Sequence, residues 1–486
     1  MAIQIHPQKL ERQLIGIERW RVGKNLGISH SNGCGTWHWV TGMGNTFAAC
    51  IVANKLLDVN NASTIYVIVP GEDLEKQWNQ EIKNFVKQEH LNNFIVITVH
   101  KAVNLQYKPS CTFVIFDEVH EYLTDDRLGL INGDLIDAKY KLGLTATWID
   151  KSGRHKKIEH LLPVVDVIEE EEAIREGWVS KYIEYNLGVA LTHSELNAYK
   201  EHSETIHKNL NKFNRNLGWA TKCLVGEKST GKKGIDFCFV LAAHNGFKTG
   251  MDLTNETNQK IYDLWHPKKI MGYAANLMEA VKIRKDILYN AQNKLITAKE
   301  LVKKFNTLKT IMFSQSTHFA DQLGAIINQE YHRDFNTTKD ICVVFHSKLA
   351  TRVVFDEVKN KQVKKGKVKL KREAIDAIRT GKVRIISTAS SLDRGFDVKD
   401  IRLGITTSST QNPTQGKQRK GRVIRVEDTE KDVIVLIINI YIKGTKDEEW
   451  LRNRQAKDKN IVYWVDSIDD INYTPREKGT FNIEDF

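Results

Sequence analysis

Two sets of short, almost unbroken apolar runs constrain this chain more than any other feature. The first comprises STIYVIVP (63–70), NFIVITV (93–99), TFVIFDE (112–118) and YKLGLTAT (140–147). The second comprises KTIMFS (309–314), DICVVFHS (340–347), VRIISTAS (383–390), IRLGITT (401–407) and DVIVLIINIY (432–441). Runs of this length, rich in β-branched residues and without polar alternation, are strands buried on both faces, as in a parallel sheet covered by helices. Amphipathic stretches separate them, so the pattern predicts an α/β chain of two lobes, each a parallel sheet flanked by helices. Between the lobes the character changes. LTHSELNAYKEHSETIHKNLNKF and MGYAANLMEAVKIRKDILYNAQNKLITAKELVKKF read as amphipathic helices, the first opening on a capping box at Thr192 and Glu195, with KSTGKKGIDF (228–237) as a loop between them. The expected division is a first lobe at 1–185, a helical insertion at 186–308, a second lobe at 309–455 and a C-terminal extension at 456–486.

Charge and cysteine usage narrow the setting. The 486 residues carry 72 Lys and Arg against 60 Asp and Glu, a formal +12 that favours a polyanionic partner, nucleic acid first. Cys34, Cys50, Cys111, Cys223, Cys238 and Cys342 are scattered without a C-x-x-C pair, which argues against a zinc site or a disulfide framework. A reducing, intracellular setting is expected: the cytoplasm, or the host cytoplasm for a viral chain. The opening MAIQIHPQKLERQ has no apolar signal core, and no stretch has the length of a membrane span.

WVTGMGNTFAA (39–49) has the spacing of a phosphate-binding loop opening a helix. Gly42 and Gly44 let backbone N–H groups turn inward on phosphate oxygens at the helix N-terminus, between Thr41, Met43 and Asn45, and Thr46 offers a hydroxyl to Mg²⁺. Lysine usually stands where this chain has Asn45, and alone the segment fits a plain glycine turn better than a nucleotide site. VIFDEVH (114–120) changes the balance. A strand ending in Asp117 and Glu118 puts two carboxylates at the sheet edge where ligands collect, Asp117 to hold Mg²⁺ and Glu118 to orient and deprotonate a water. Seen alone, such a pair is a surface turn; behind a glycine loop in one α/β lobe it points to a nucleotide site. KLGLTATW (141–148) ends a strand in Thr145, Ala146 and Thr147, either a bridge from the phosphate site to the next lobe or a simple Ser/Thr turn. QRKGRVIRVED (418–428) sets Arg422 and Arg425 on one helical face beside Gln418 and Gly421, suited to a phosphate chain held by the other lobe; the alternative is a basic solvated helix. Gly395 and Asp397 in STASSLDRGFDV (387–398) fit a loop facing nucleic acid and the ribose or γ-phosphate, or an ordinary connection.

In order and spacing these motifs resemble those of superfamily 2 helicases and translocases with two RecA-like lobes, most similar to XPB-type and phage DNA helicases, over most of residues 7–455. The resemblance makes Gln13 in RQLIGIERW, with Ile17 and Trp20 at the family's offsets, the residue that recognises adenine. It makes Thr41 to Thr46 the phosphate loop, Asp117, Glu118 and His120 the Asp-Glu-x-His box, and Thr145 to Thr147 the coupling motif. VIVPGEDLEKQW, with Pro70, Leu74, Gln77 and Trp78, resembles the single-strand-contacting motif. Nucleic-acid contacts are thereby implied at Pro70, Gln77, Ser314, Lys348 and Thr388. Gly395 and Asp397 match the fifth motif, Gln418 and Gly421 the sixth, and Arg422 and Arg425 become arginine fingers. Two departures stand out. One is Asn45; the other is TRVVFDEVKNKQVKKGKVKLKR (351–372), where the family has a short helix and this chain has Lys361, Lys364, Lys365, Lys367, Lys369, Lys371 and Arg372, a phosphate track or a solvated loop.

The resemblance implies an ATP-dependent DNA helicase or translocase that hydrolyses ATP with Mg²⁺ in the cleft between lobes. Because Asn45 offers a neutral amide in place of an ammonium, an ATP-binding clamp without efficient turnover stays open, as does an RNA helicase. The tail after 455 shows no nuclease carboxylate–lysine set, so a restriction motor would need a separate nuclease.

Overall fold

The computed structural model describes every residue except 1–6, 23, 26–27, 30–32, 149–152, 228–229, 357–360, 390–397, 399, 409, 411–412, 425–433, 457–460 and 474–486. The first set of apolar runs lies in a six-stranded sheet ordered Phe94–Thr98, Ile65–Val69, Ser110–Asp117, Asp137–Thr145, Cys34–Trp39, Val164–Ile168, each adjacent pair parallel. Ile65–Val69 is buried along its whole length. Cys34–Trp39 and Val164–Ile168 lie outside the expected runs. CGTWHW mixes polar and aromatic residues and so lacks the apolar signature, yet Trp37 and Trp39 are wholly buried, their rings stacked 4.5 Å apart. Each large apolar side chain buried in this way contributes about 1.5–3 kcal/mol.

The second set forms a seven-stranded sheet ordered Cys342–His346, Ile385–Ala389, Thr310–Ser314, Leu403–Thr406, Ile434–Ile442, Lys181–Val189, Val462–Val465. Lys181–Val189 begins inside the expected first lobe but belongs to this sheet, so the chain crosses between sheets after Ile168. The physical reason is visible in its buried polar residues. Glu184 accepts from Asn439 Nδ2 at 2.8 Å and Gln455 Nε2 at 2.7 Å, while Asn186 donates to Gln455 Oε1 at 2.7 Å. These partners lie in and beside the second sheet, and without them the buried groups would go unsatisfied.

Val189–Ala298, joined by Tyr441–Asp447, forms a separate compact unit with its own core of Phe213, Cys223, Phe237, Leu241, Ile270 and Leu277. Its first helix, His193–Asn211, opens on the Thr192–Glu195 capping box. The stretch 228–237 is not all loop: the helix Gly234–His244 starts within it, with the Asp236 carboxylate accepting from the Lys233 N–H at 2.7 Å. The basic insertion at 351–372 folds as an antiparallel ribbon, Arg352–Asp356 against Lys361–Lys365, leading into the helix Lys367–Arg379. Among the described residues no helix is long and apolar enough to cross a membrane.

Candidate nucleotide site

The helix Pro7–Val22 is fixed by one buried carboxylate. Asp166, wholly buried, accepts from Arg12 at 2.8 Å, from Trp39 Nε1 at 2.6 Å and from Arg19; Arg12 also reaches Glu172 at 3.0 Å and the Val167 carbonyl at 2.7 Å. That anchorage points buried Gln13 at the phosphate loop, where its Nε2 donates to the Met43 carbonyl at 2.5 Å. Its Oε1 is buried with no hydrogen-bond partner among the described residues.

The loop itself turns through two glycines with positive φ, 93° at Gly42 and 80° at Gly44, a backbone that other residues adopt only with strain. Gly44 caps the helix Asn45–Val59 and has no side chain to offer its first turn, which also lacks acidic residues. The N–H groups of such a turn have no intrahelical acceptor and favour an anion. Asn45 opens the helix with its Oδ1 buried and without a partner among the described residues, Met43 is wholly buried, and Thr41 and Thr46 are half-buried.

Asp117 ends its strand with Oδ2 accepting from Trp78 Nε1 at 2.8 Å and Oδ1 accepting from the Glu118 N–H at 3.1 Å. Burial, then the neighbouring Glu118, pushes its carboxyl up to about 7, against the pull of those two donors and of Arg422. Glu118 is held at φ 51°, ψ 51°, a left-handed conformation of the kind stored at functional sites. His120 Nδ1 lies 3.4 Å from Glu118 Oε2 and 2.9 Å from Thr145 Oγ1. The Thr145 hydroxyl gives its one proton to the Thr147 carbonyl at 2.9 Å and accepts from the Thr147 N–H at 2.9 Å, so His120 Nδ1 is the donor in that contact. One chain of polar contacts thus links Glu118 to the Thr145–Thr147 turn.

The helix Pro413–Val423 brings the second lobe to this loop. A Cβ built at Gly421 would sit 1.7 Å from Thr41 Oγ1, so glycine is what lets helix and loop touch. Lys420, nearly buried, donates to the Tyr182 hydroxyl at 3.0 Å and pairs with Glu170 at 3.0 Å, while Tyr182 donates to Glu170 at 2.6 Å. Arg419 reaches the Ser408 carbonyl at 2.9 Å and the Ser314 carbonyl at 3.3 Å. Gln418 is buried, and Arg422 is close enough for its charge to act on Asp117. Arg425, Gly395 and Asp397 lie outside the described residues.

The residues expected on nucleic acid are dispersed. Pro70, just before the helix Glu72–Phe85, and Gln77, within it, are half-buried, Lys348 is exposed, and Ser314 and Thr388 are buried at the ends of neighbouring strands, the Ser314 hydroxyl donating to the Ser316 carbonyl at 2.6 Å. Trp78 and Leu74 from the same motif are core residues, and Trp78 serves Asp117 instead. That bond, the Asp166 anchor and the Lys420–Tyr182–Glu170 contact went unread in the sequence, because each joins residues far apart in it.

Residues 12–150 match the family described as "Type III restriction enzyme, res subunit", and residues 293–427 match "Helicase conserved C-terminal domain". The chain belongs to superfamily 2 of the helicases and translocases. The DNA 3'-5' translocase XPB2 of Sulfurisphaera tokodaii is 24% identical over 426 residues, covering 85% of this chain and 79% of that protein. A structure of S. cerevisiae Dbp5 bound to RNA and ADP BeF3, 12% identical, covers 96% of this chain and 95% of its own at a TM-score of 0.53, a likeness of fold.

For this superfamily 2 protein the residues present fit an adenine nucleotide and its cation. The orphaned Gln13 Oε1 is an acceptor suited to an exocyclic amino group, and the helix N-terminus at Gly44 suits phosphate. Thr46 and Asp117 offer oxygen ligands of the kind Mg²⁺ takes, and Asp117, half-buried beside Glu118, is a carboxylate that a dication would relieve. Asn45 alone does not supply what the nucleotide needs.

Proposed function

We propose that the protein is an ATP-dependent helicase or translocase acting on DNA, its two motor lobes at 1–185 and 309–455 except that the strands Lys181–Val189 and Val462–Val465 complete the second, with the helical insertion of 186–308 beginning at Val189 and the rest of 456–486 as an extension. The contact of Gly421 with Thr41 carries the reading, because it sets the arginine-bearing helix of one lobe directly on the phosphate loop of the other. When bound, ATP with Mg²⁺ supplies the phosphoanhydride whose hydrolysis drives the cycle. Gln13 Oε1 accepts from the adenine amino group, and the N–H groups at the head of the helix Asn45–Val59 hold the phosphates. Thr46 and Asp117 hold the cation, with Trp78 fixing the carboxylate. Glu118 orients a water and takes its proton, and the His120–Thr145–Thr147 chain carries that change toward the second lobe. Gln418, Arg422 and Arg425 counter the charge that develops as the phosphoryl group leaves. Gly395 and Asp397 keep their motif assignment to the nucleotide.

Pro70, Gln77, Ser314, Lys348 and Thr388 would line the strand path, and the similarity to a DNA translocase favours DNA over RNA. The test is ATP hydrolysis with single-stranded, duplex and forked DNA and with RNA. DNA-stimulated turnover that Glu118→Gln abolishes is expected; stimulation by RNA alone would reverse the choice of substrate. Asn45 favours one second reading, a clamp that binds ATP and DNA without turning over. It is established if the chain and its Asn45→Lys variant both bind ATP and DNA and neither hydrolyses.

A further inference from the structure

The helix Pro413–Val423 carries four described basic side chains beyond its first turn: Lys417, Arg419, Lys420 and Arg422. Arg419 is spent on two carbonyls of its own lobe, Lys420 on Glu170 and Tyr182, and Arg422 acts on Asp117. Lys417 is exposed and has no hydrogen-bond or ion-pair partner among the described residues. Its direction follows from Gly421. Residues four apart share a helical face, and the Gly421 face is the one laid against Thr41. The Lys417 side chain therefore starts one turn, about 6 Å, from the phosphate-loop contact, within the length of its own four-carbon stem. His38, three residues before Thr41, registers the charge: burial chiefly holds its imidazole below the ordinary range, Glu169 opposes this, and the Lys417 ammonium adds to it. On the other side of the contact, Asn45 has a short neutral side chain whose buried Oδ1 has no donor among the described residues.

We propose that Lys417 supplies, from the second lobe, the ammonium that the phosphate loop lacks at Asn45. The inference rests on the ATPase reading above and deepens it. Cationic help would then be absent while the lobes are apart and arrive only when the helix Pro413–Val423 meets the loop. The loop amides would suffice for loose nucleotide binding, and neutralisation of the β- and γ-phosphates would depend on closure.

The test is epistasis in DNA-stimulated ATP turnover among four full-length proteins: the chain itself, Lys417→Gln, Asn45→Lys and the double variant. Losing one preorganised charge or donor at a developing anion typically costs 10²–10³-fold in kcat, so Lys417→Gln should lower kcat of the chain about 100-fold. In the Asn45→Lys background the same substitution should cost at least tenfold less, and Lys417→Arg should retain most of the chain's activity. The Kd for DNA should not change with Lys417→Gln. The proposal is overturned if Lys417→Gln leaves kcat unchanged, if it costs the same factor in both backgrounds, if it acts by weakening DNA binding, or if the chain is silent while Asn45→Lys turns over. The first three outcomes, in which the chain itself turns over, would leave the ATPase reading standing, whereas the last would favour the clamp. Silence of all four proteins, each folded by circular dichroism, would remove both.

Discussion

At Gly421 a single methyl group decides whether the two lobes can meet. The methyl of an alanine would fall 1.7 Å from Thr41 Oγ1 and 2.6 Å from Thr41 Cβ, so rotating the threonine does not make room. Alanine otherwise suits a helix better than glycine by about 0.5–1 kcal/mol. Gly421→Ala should therefore keep or raise the melting temperature while lowering DNA-stimulated kcat at least about tenfold, a barrier change of about 1.4 kcal/mol. A parallel fall in both would mean that the contact is only structural. Trp78 makes the second case. Trp78→Phe keeps an aromatic ring in the core but removes the donor to Asp117 Oδ2. A hydrogen bond to a charged group is worth about 1.5–3 kcal/mol, so the Mg²⁺ concentration for half-maximal turnover should rise about tenfold, and an unchanged Mg²⁺ requirement would dismiss the role. Gly42, Asp117 and Glu118 were picked out as candidates because the chemistry proposed for them is written in a few adjacent letters. Trp78 was not: a tryptophan on an amphipathic helix reads as core, which it is, and its bond to a residue 39 positions on leaves no local trace.

Among the elements, the helix Pro413–Val423 grips the crossing between sheets through Lys420, which contacts Tyr182 of the second sheet and Glu170 of the short helix before it. The Ser180 N–H also donates to the Ile424 carbonyl at 2.9 Å, just past the helix end. Lys420→Met keeps the apolar stem and discards the charge. It should lower kcat severalfold, with Lys420→Arg recovering part of the loss. Combined with Tyr182→Phe the losses should fall short of additive by roughly 1 kcal/mol, as for residues in one network; strict additivity would show that the two side chains act apart. The apolar runs revealed most of the central strands because burial on both faces excludes polar letters. The same rule hid others, Lys181–Val189 with its buried Glu184 and Asn186 among them. Cys34–Trp39 is buried through tryptophans that alternate with polar residues, and the ribbon at 352–365 lies outside both large sheets, so nothing forces its lysine-rich sequence to look like a strand.

For the whole molecule, the open question of organisation is how a chain that leaves the second sheet at Val189 builds a unit with its own core. The return of Tyr441–Asp447 to this unit leaves no local trace in the sequence, because its anchor spans 153 positions: Lys294 Nζ donates to Asp447 Oδ2 at 2.6 Å. Both side chains are buried, 0% and 3% exposed. Lys294 also donates to the Leu288 carbonyl at 3.0 Å, and Asp447 accepts from the Ile442 N–H at 3.0 Å. A buried pair is costly to break from one side, about 3–5 kcal/mol, because the remaining charge is left in a poor solvent. The sign of one substitution should therefore depend on context. In the full chain, Lys294→Met strands the Asp447 carboxylate and should lower the melting temperature. In the fragment 189–298, which keeps the core but lacks Asp447, the lysine is itself the stranded charge, and the same change should stabilise the helices by a few kcal/mol. Thermal melts followed by circular dichroism on the two pairs of proteins decide it: a change of the same sign in both would mean that the pair contributes packing and not charge, whereas opposite signs establish Lys294–Asp447 as the bond that ties the segment Tyr441–Asp447 into the helical unit.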